Sequence, residues 1–345
     1  MAITDIEQLR RHIVLTEKEE NWRETEENTL PILISDNIIP LLSDQHIRRQ
    51  FVPSEEENMD TLGNLDPQEE REHEASSRLI HRYKNRAALL VTDRCFAYCR
   101  HCFRRRFTGT MTGPISEDQL DASIRYLTEH NEIKEVLLTG GDMFTLSDNE
   151  LDHMLSALKA AREDIIYRLC TRSLLSNPDR FTDNLFRVLK KHNHGAPFYL
   201  MTQFNHPLEI TDKAIGKMKG FIELGIPMMN QCVLLRGVND TVEIQTELCN
   251  KLLYNRIKPY YLFQGDLVKG TAHLRVPLSE GFELERQMRI ELSGLGMPQY
   301  TIDLPEGGGK VILTKQYVEG LDKGTWTIKT PNGEIRHYPE DKRNL

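Results

Sequence analysis

The stretch RAALLVTDRCFAYCRHC, residues 86–102, joins a short apolar run directly to three cysteines. Residues 86–92 read as a buried strand. Cys95, Cys99 and Cys102 then fall in the loop that leaves it. Six cysteines are present in the chain, and half of them are here. A structural zinc takes four protein ligands, usually as paired CxxC units, and there is no companion pair. Cys170, Cys232 and Cys249 stand alone in or near apolar runs and are expected in the core. One catalytic thiol would explain one cysteine, not three. An ordinary iron–sulfur cluster uses four. Three leave one iron open to another ligand.

Outward from this stretch, short apolar runs alternate with amphipathic segments. Strands are expected at 86–92, 135–140, 165–171, 197–203, 227–235 and 258–264. Helices are expected near 116–129, 149–162, 181–192, 211–224 and 241–253, with Ser116 and Thr182 as N-cap candidates. Such alternation predicts a parallel sheet wrapped by helices. An open partial barrel and a doubly wound sheet both fit, and in either a ligand sits at the strands' C-terminal ends. Three segments are expected: an N-terminal helical extension (1–80), a core (81–271) and a C-terminal α+β segment (272–345). The acidic runs PSEEENMD and DPQEEREHE in the first read as solvated surface or helix ends. The apolar LPILISDNIIPLLS reads as short helices. TWTIKTPNGEIRHYP reads as a hairpin with an Asn-Gly turn at 332–333.

A net charge of -8 argues against a nucleic-acid surface. No apolar run approaches the ~20 residues that span a bilayer, and the polar N-terminus has no signal-peptide core. A cytoplasmic protein without membrane contact is expected, so the cysteines read as metal ligands or reactive thiols.

CxxxCxxC after a first strand resembles the signature of the radical S-adenosylmethionine (SAM) superfamily. The resemblance implies a partial (βα)6 barrel and a [4Fe–4S] cluster on Cys95, Cys99 and Cys102, with SAM chelating the open iron. LLTGGD (137–142) ends the second expected strand with two glycines and an acid. Gly140 and Gly141 allow close approach to the backbone, and Asp142 could pair with an ammonium. They resemble the superfamily's motif for the amino group of SAM. Arg172, at the end of the third strand, and Gln231, in the fifth, are further SAM candidates.

DLPEGGGKVIL (303–313) sets Lys310 after three glycines. It is not a P-loop, because Val311 follows the lysine. A lysine of lowered pKa attacks carbonyls, which suits pyridoxal phosphate (PLP). HRYKNRAALLVTDRCFAYCRHCFRRRFTG (81–109), FNHPLEIT, VLLRGVND, PYYLFQGDLVKGTAHLRVP and this loop occur in the order seen in the lysine 2,3-aminomutase family. The resemblance covers roughly residues 65–320.

That family uses PLP beside SAM and the cluster, and moves an amino group from the α to the β carbon of an amino acid. The resemblance implies that Lys310 is the PLP lysine, that Arg82 and Arg86 hold its phosphate, and that Tyr83 lies beside its ring. It implies that Arg104 receives the substrate α-carboxylate. Asp266 and Asp303 then receive the side-chain ammonium of lysine. It further implies a reductase that donates electrons, such as flavodoxin or ferredoxin, and a homodimer or homotetramer. Glu306 replaces a glycine of the family's loop, Phe263 a tyrosine, Gln203 a histidine and Lys84 a proline. TRSLLSNPDRF departs from the usual run after the third strand, and the zinc-binding cysteine tail of some members is absent. These departures leave other substrates open: arginine, glutamate or a protein-bound lysine. A radical SAM enzyme without PLP is also open.

Overall fold

Residue alternation along the strands decides which side chains meet the helices and which meet the opposite face. The computed structural model describes residues 2–25, 30–110, 112–305, 308–314, 317–323 and 325–339. One ten-stranded sheet runs through it in strict sequence order. Its strands are β1 (Glu74–Ser76), β2 (Leu79–Tyr83), β3 (Arg86–Thr92), β4 (Glu135–Gly140), β5 (Ile166–Thr171), β6 (Phe198–Thr202), β7 (Met228–Leu234), β8 (Ile257–Gln264), β9 (Gln299–Leu304) and β10 (Gly309–Ile312). Neighbours from β3 to β9 are parallel, and β1–β2, β2–β3 and β9–β10 are antiparallel.

The helices are α1 (Ile6–Arg10), α2 (Glu17–Glu20), α3 (Gln45–Phe51), α4 (Glu117–Glu129), α5 (Asp148–Ala161), α6 (Ser173–Ser176), α7 (Asp183–His192), α8 (Asp212–Glu223), α9 (Val242–Tyr254) and α10 (Leu278–Glu291). The crossovers through α4, α5, α7, α8, α9 and α10 make six βα units, closed by β9. The strand order never reverses, so there is no switch point of the doubly wound kind. Of the two open arrangements, the partial barrel is the one found. Ser116 caps α4 in a capping box with Gln119, and Thr182 caps α7.

Along β5, Tyr167, Leu169 and Thr171 are buried, while Arg168 and Cys170 turn the other way. Along β7, Cys232 is buried whereas Gln231 and Val233 alternate with it. Cys232 and Cys249 are therefore core residues, as expected. Cys170 is not: its strand phase places it on the inner wall of the barrel.

The arm before β1 corrects two expectations. Residues 30–35 carry no helix, and a turn at 36–38 leads into one 3-10 turn at Ile39–Leu41, so the expected short helices reduce to that single turn. Leu30, Ile32, Ile34, Ile38 and Leu42 are buried. Nor are the acidic runs solvated throughout, since Glu57, Asp60 and Glu70 are buried. Asp60 accepts from the backbone of Leu62, Gly63, Thr271 and Ala272 and from Arg275, which ties the arm to the segment after β8. The core runs from Ile3 to Tyr300, and the sheet spans both expected segment boundaries.

The hairpin at 332–333 is present between β12 (Thr325–Lys329) and β13 (Ile335–Pro339), with β11 (Val318–Asp322) on the other side of β12. Gly333 takes φ +87°, the left-handed geometry such a turn requires. Among the described residues, no helix is long and apolar enough to cross a membrane.

Candidate active site

A cavity of about 410 Å3 opens inside the barrel toward the C-terminal ends of the parallel strands. Every site residue expected from the sequence lines it: Cys95, Cys99, Cys102, Gly140, Gly141, Asp142, Arg172, Gln231, Arg82, Tyr83, Arg86, Arg104, Asp266, Asp303 and Lys310. Glu306 lies outside the described residues.

The cysteine loop is held by the arm. Tyr98 N donates to Leu33 O and Arg100 N to Gln50 O, each at 2.8 Å. Arg100 is fully buried and forms a forked pair with Glu57, at 2.7 and 2.6 Å. Burial is the first cause that raises the Cys95 and Cys99 thiols, and the charge of the other cysteines adds to it.

The two glycines of LLTGGD serve this loop directly. Gly140 has φ +110°, and a Cβ there would lie 2.4 Å from Thr92 O. At Gly141 a Cβ would lie 2.1 Å from Arg94 O. What approaches these glycines is the chain's own backbone on its way into the cysteine loop. Gly141→Ala is expected to cost about 1–3 kcal/mol, as overpacking does, and to displace the segment leading to Cys95. Iron per chain after anaerobic reconstitution reads this, and wild-type iron content would refute it.

Asp142 is turned into the fold. Its carboxylate accepts from Thr171 Oγ1 at 2.9 Å, Arg172 N at 2.7 Å and Phe144 N at 3.0 Å. Burial raises its pKa even so. It ties the end of β4 to the end of β5. The Arg172 guanidinium donates to Cys99 Sγ at 2.6 Å, to Gln50 Oε1 at 2.6 Å and to Glu209 Oε1 at 2.9 Å. Gln50, Glu209 and Asn205 form a buried polar shelf behind Cys99. This shelf had no sequence signal, because its members lie up to 159 residues apart.

At the other end of the cavity, Lys310 pairs with Asp303 across the β9–β10 hairpin, with Nζ 2.6 Å from Oδ2. Its Nζ also sits 4.0 Å from the centre of the Phe263 ring. Burial lowers the Lys310 pKa, against the opposing pull of Asp303. Asp266 is pushed up to about 6 by burial first, with the charge of Asp303 adding to it. Arg86 stacks over the Tyr83 ring at 3.7 Å, and Tyr83 Oη is buried with no hydrogen-bond partner among the described residues. Arg82 donates to the carbonyls of Gln68 and Leu304, both at 3.4 Å, and its guanidinium lies 5.6 Å from the centre of the Tyr83 ring.

Arg104 is gripped by a residue the sequence did not flag. Glu70 accepts from its Nε at 2.8 Å and pairs with its Nη2 at 2.7 Å, while Nη1 donates to Thr139 at 3.0 Å. A guanidinium has five N–H donors, so Arg104 keeps capacity for a ligand carboxylate.

A model of the Radical SAM superfamily matches residues 89–244. The L-lysine 2,3-aminomutase of Bacillus subtilis is 35% identical over 349 aligned positions, covering 100% of this chain and 74% of that protein. The chain belongs to the lysine 2,3-aminomutase family. Another L-lysine 2,3-aminomutase, from Clostridium subterminale, is 35% identical over 98% of the chain and 82% of its own length. A glutamate 2,3-aminomutase of Clostridioides difficile is 37% identical over 94% of the chain and 76% of its own length. Membership makes the protein an isomerase of the radical SAM class, which implies a [4Fe–4S] cluster and SAM.

The donor set fits that cluster. Three thiols, those of Cys95, Cys99 and Cys102, line the same cavity. Iron binding replaces thiol protons, which removes the cost that burial places on a bare thiolate. The opposite end fits PLP: a partly buried amine of lowered pKa, two arginines against the Tyr83 ring and a tyrosine hydroxyl with no partner among the described residues surround the same space.

Proposed function

We propose that this family member is a PLP-dependent lysine 2,3-aminomutase that converts L-lysine to L-β-lysine. The observation that carries the reading is the pair of acids on one cavity lining, Asp303 paired with Lys310 and Asp266 near enough to act on it by charge, with Arg104 on the same lining. A primary ammonium is already held there, that of Lys310. When Nζ of Lys310 is engaged elsewhere, Asp303 and Asp266 would be left to another cation, and a lysine side chain supplies one of the same chemistry. An ammonium without partners in a closed site would be strongly disfavoured.

When bound, the cluster with SAM supplies a hydrogen-abstracting radical, and PLP supplies the carbonyl and conjugated ring that carry the migrating amine. The chain's own residues bind and orient. Arg104 offers its free N–H groups to the α-carboxylate, held in aim by Glu70. Arg82 and Arg86 provide the cationic charge for a phosphate, beside the Tyr83 ring. Lys310 presents an amine whose neutral form burial favours. The arm, through Gln68 and Glu70, and the β9–β10 hairpin, through Asp303 and Lys310, complete the lining of the space.

Two acids disfavour glutamate, whose distal carboxylate wants a cation. The test is anaerobic reconstitution with iron, sulfide and PLP, then SAM, dithionite and a mixture of L-amino acids. β-Lysine by mass spectrometry supports the reading. β-Glutamate would keep the chemistry and overturn the substrate. Release of 5'-deoxyadenosine without any β-amino acid would point to a substrate other than a free amino acid. Asp303→Asn should raise the lysine KM by roughly tenfold to a hundredfold, the worth of a hydrogen bond to a charged group. An unchanged KM would remove the two-acid argument.

A further inference from the structure

Asp266 differs from its neighbours in the kind of partner it has. Asp303 is paired with the cation of Lys310, and Glu70 with those of Arg104 and Arg106. The hydrogen bond to Asp266 comes instead from a neutral amide, Gln68 Nε2, at 3.1 Å. An amide N–H supports a carboxylate without cancelling its charge. The charge stays available to a ligand.

Gln68 is not a chance surface contact. The arm reaches the cavity here and is pinned on both sides. Asn64 N donates to Leu267 O at 2.8 Å and Lys269 N to Asn64 O at 3.0 Å, directly beside Asp266. Gly63 lies so close to this segment that a Cβ would meet Lys269 Cα at 2.4 Å. Asp66 then turns the chain by accepting from Glu70 N and Arg71 N, and pairs with Arg106 at 3.0 Å. Over three residues the arm touches Asp266 through Gln68, Arg82 through the Gln68 carbonyl, and Arg104 through Glu70.

We infer that Gln68 is a positioning residue for the distal end of the substrate: it holds Asp266 aimed into the cavity, as a free negative charge, for a substrate ammonium. Specificity at that end is then completed by the N-terminal arm and not by the barrel alone. The inference rests on the lysine reading above for its substrate. The groups that face Asp266 are Asp303 on β9, Lys310 on β10, and Gln68 and Glu70 on the arm. Burial and the two acids raise its pKa, while Gln68 and Lys310 oppose them. The carboxylate is ionised above about pH 6. Taking away the Gln68 donor moves that midpoint upward, so ionisation and ammonium binding are both lost from the acid side.

The test is Gln68→Leu in the reconstituted holoenzyme. The lysine KM should rise roughly tenfold, within the range for a hydrogen bond to a charged group, with a far smaller change in kcat. The acid limb of kcat/KM should move to higher pH. Iron and PLP content, unchanged, would show that the arm still folds. Independently of turnover, the infrared carboxyl band that Asp266→Asn removes should titrate at higher pH in Gln68→Leu than in wild type. An unchanged KM together with an unchanged titration would overturn the inference. If the wild type made no β-lysine, the lysine reading would fall, and the infrared titration alone would decide whether Gln68 sets the state of Asp266.

Discussion

Glu57→Ala should destabilise the protein by about 3–5 kcal/mol, the usual result of leaving a buried charge without its partner, and should abolish iron binding by the cysteine loop. Glu57 and Arg100 both have side chains with no exposed surface. Arg100 also donates to Leu30 O at 3.1 Å and Pro31 O at 2.9 Å, so its guanidinium is satisfied only in this geometry. Glu57 takes a second cation, Arg105, at 3.1 Å, and Arg105 donates onward to Lys269 O at 2.7 Å. Alanine at 57 would leave two guanidinium groups uncompensated in a dry interior. Arg100 stands between Cys99 and Cys102, so any movement that brings it to water moves two of the three thiols. Glu55→Ala, two residues away and partly exposed, is the control and should change stability by less than about 1 kcal/mol. Denaturant titration and iron analysis of both variants read the difference. Equal stability of the two would mean that the arm does not clamp the loop.

That clamp also marks where sequence reading ends. Strands and helices from Arg86 to Gln264 were legible because each has a local period, 2 along the strands and 3.6 along the helices. The cysteine spacing and the order of motifs brought every expected residue to one cavity. Glu57, Gln68 and Glu70 were hidden for a physical reason. Their partners lie 43, 198 and 34 residues away, and an acidic run has the same local pattern whether water or arginine faces it. Cys170 could have been placed from the sequence. Leu169 and Thr171 bracket it on the buried face, so the strand period sends it to the other side. β9 and β10 were missed because the glycines of 307–309 read as a loop, whereas Gly309 to Ile312 pair with Leu304 to Thr301. That pairing sets Lys310 opposite Asp303, and no spacing rule foretells it.

Lys310→Ala and Lys310→Arg should both lose isomerisation and the visible absorbance of bound PLP, while keeping the absorbance of the iron–sulfur cluster. The alanine variant alone is ambiguous. Lys310 is the cation beside Asp303, and its removal leaves Asp303 without its ion-pair partner and Asp266 without a cation that lowers its pKa. Activity could then fall because the acids take up protons or repel, a purely electrostatic effect. Arginine separates the two roles. It restores a cation to Asp303 and can stack on Phe263 as the lysine does. A guanidinium stays protonated throughout the working range, so it offers no neutral amine to a carbonyl. In Lys310 burial is the dominant cause and works toward the neutral amine, with Asp303 near enough to hold it in place. An arginine variant without turnover therefore assigns the loss to the missing amine. A variant that isomerised lysine at the wild-type rate would reduce Lys310 to a counter-charge, and the PLP site would have to be sought elsewhere on the cavity wall.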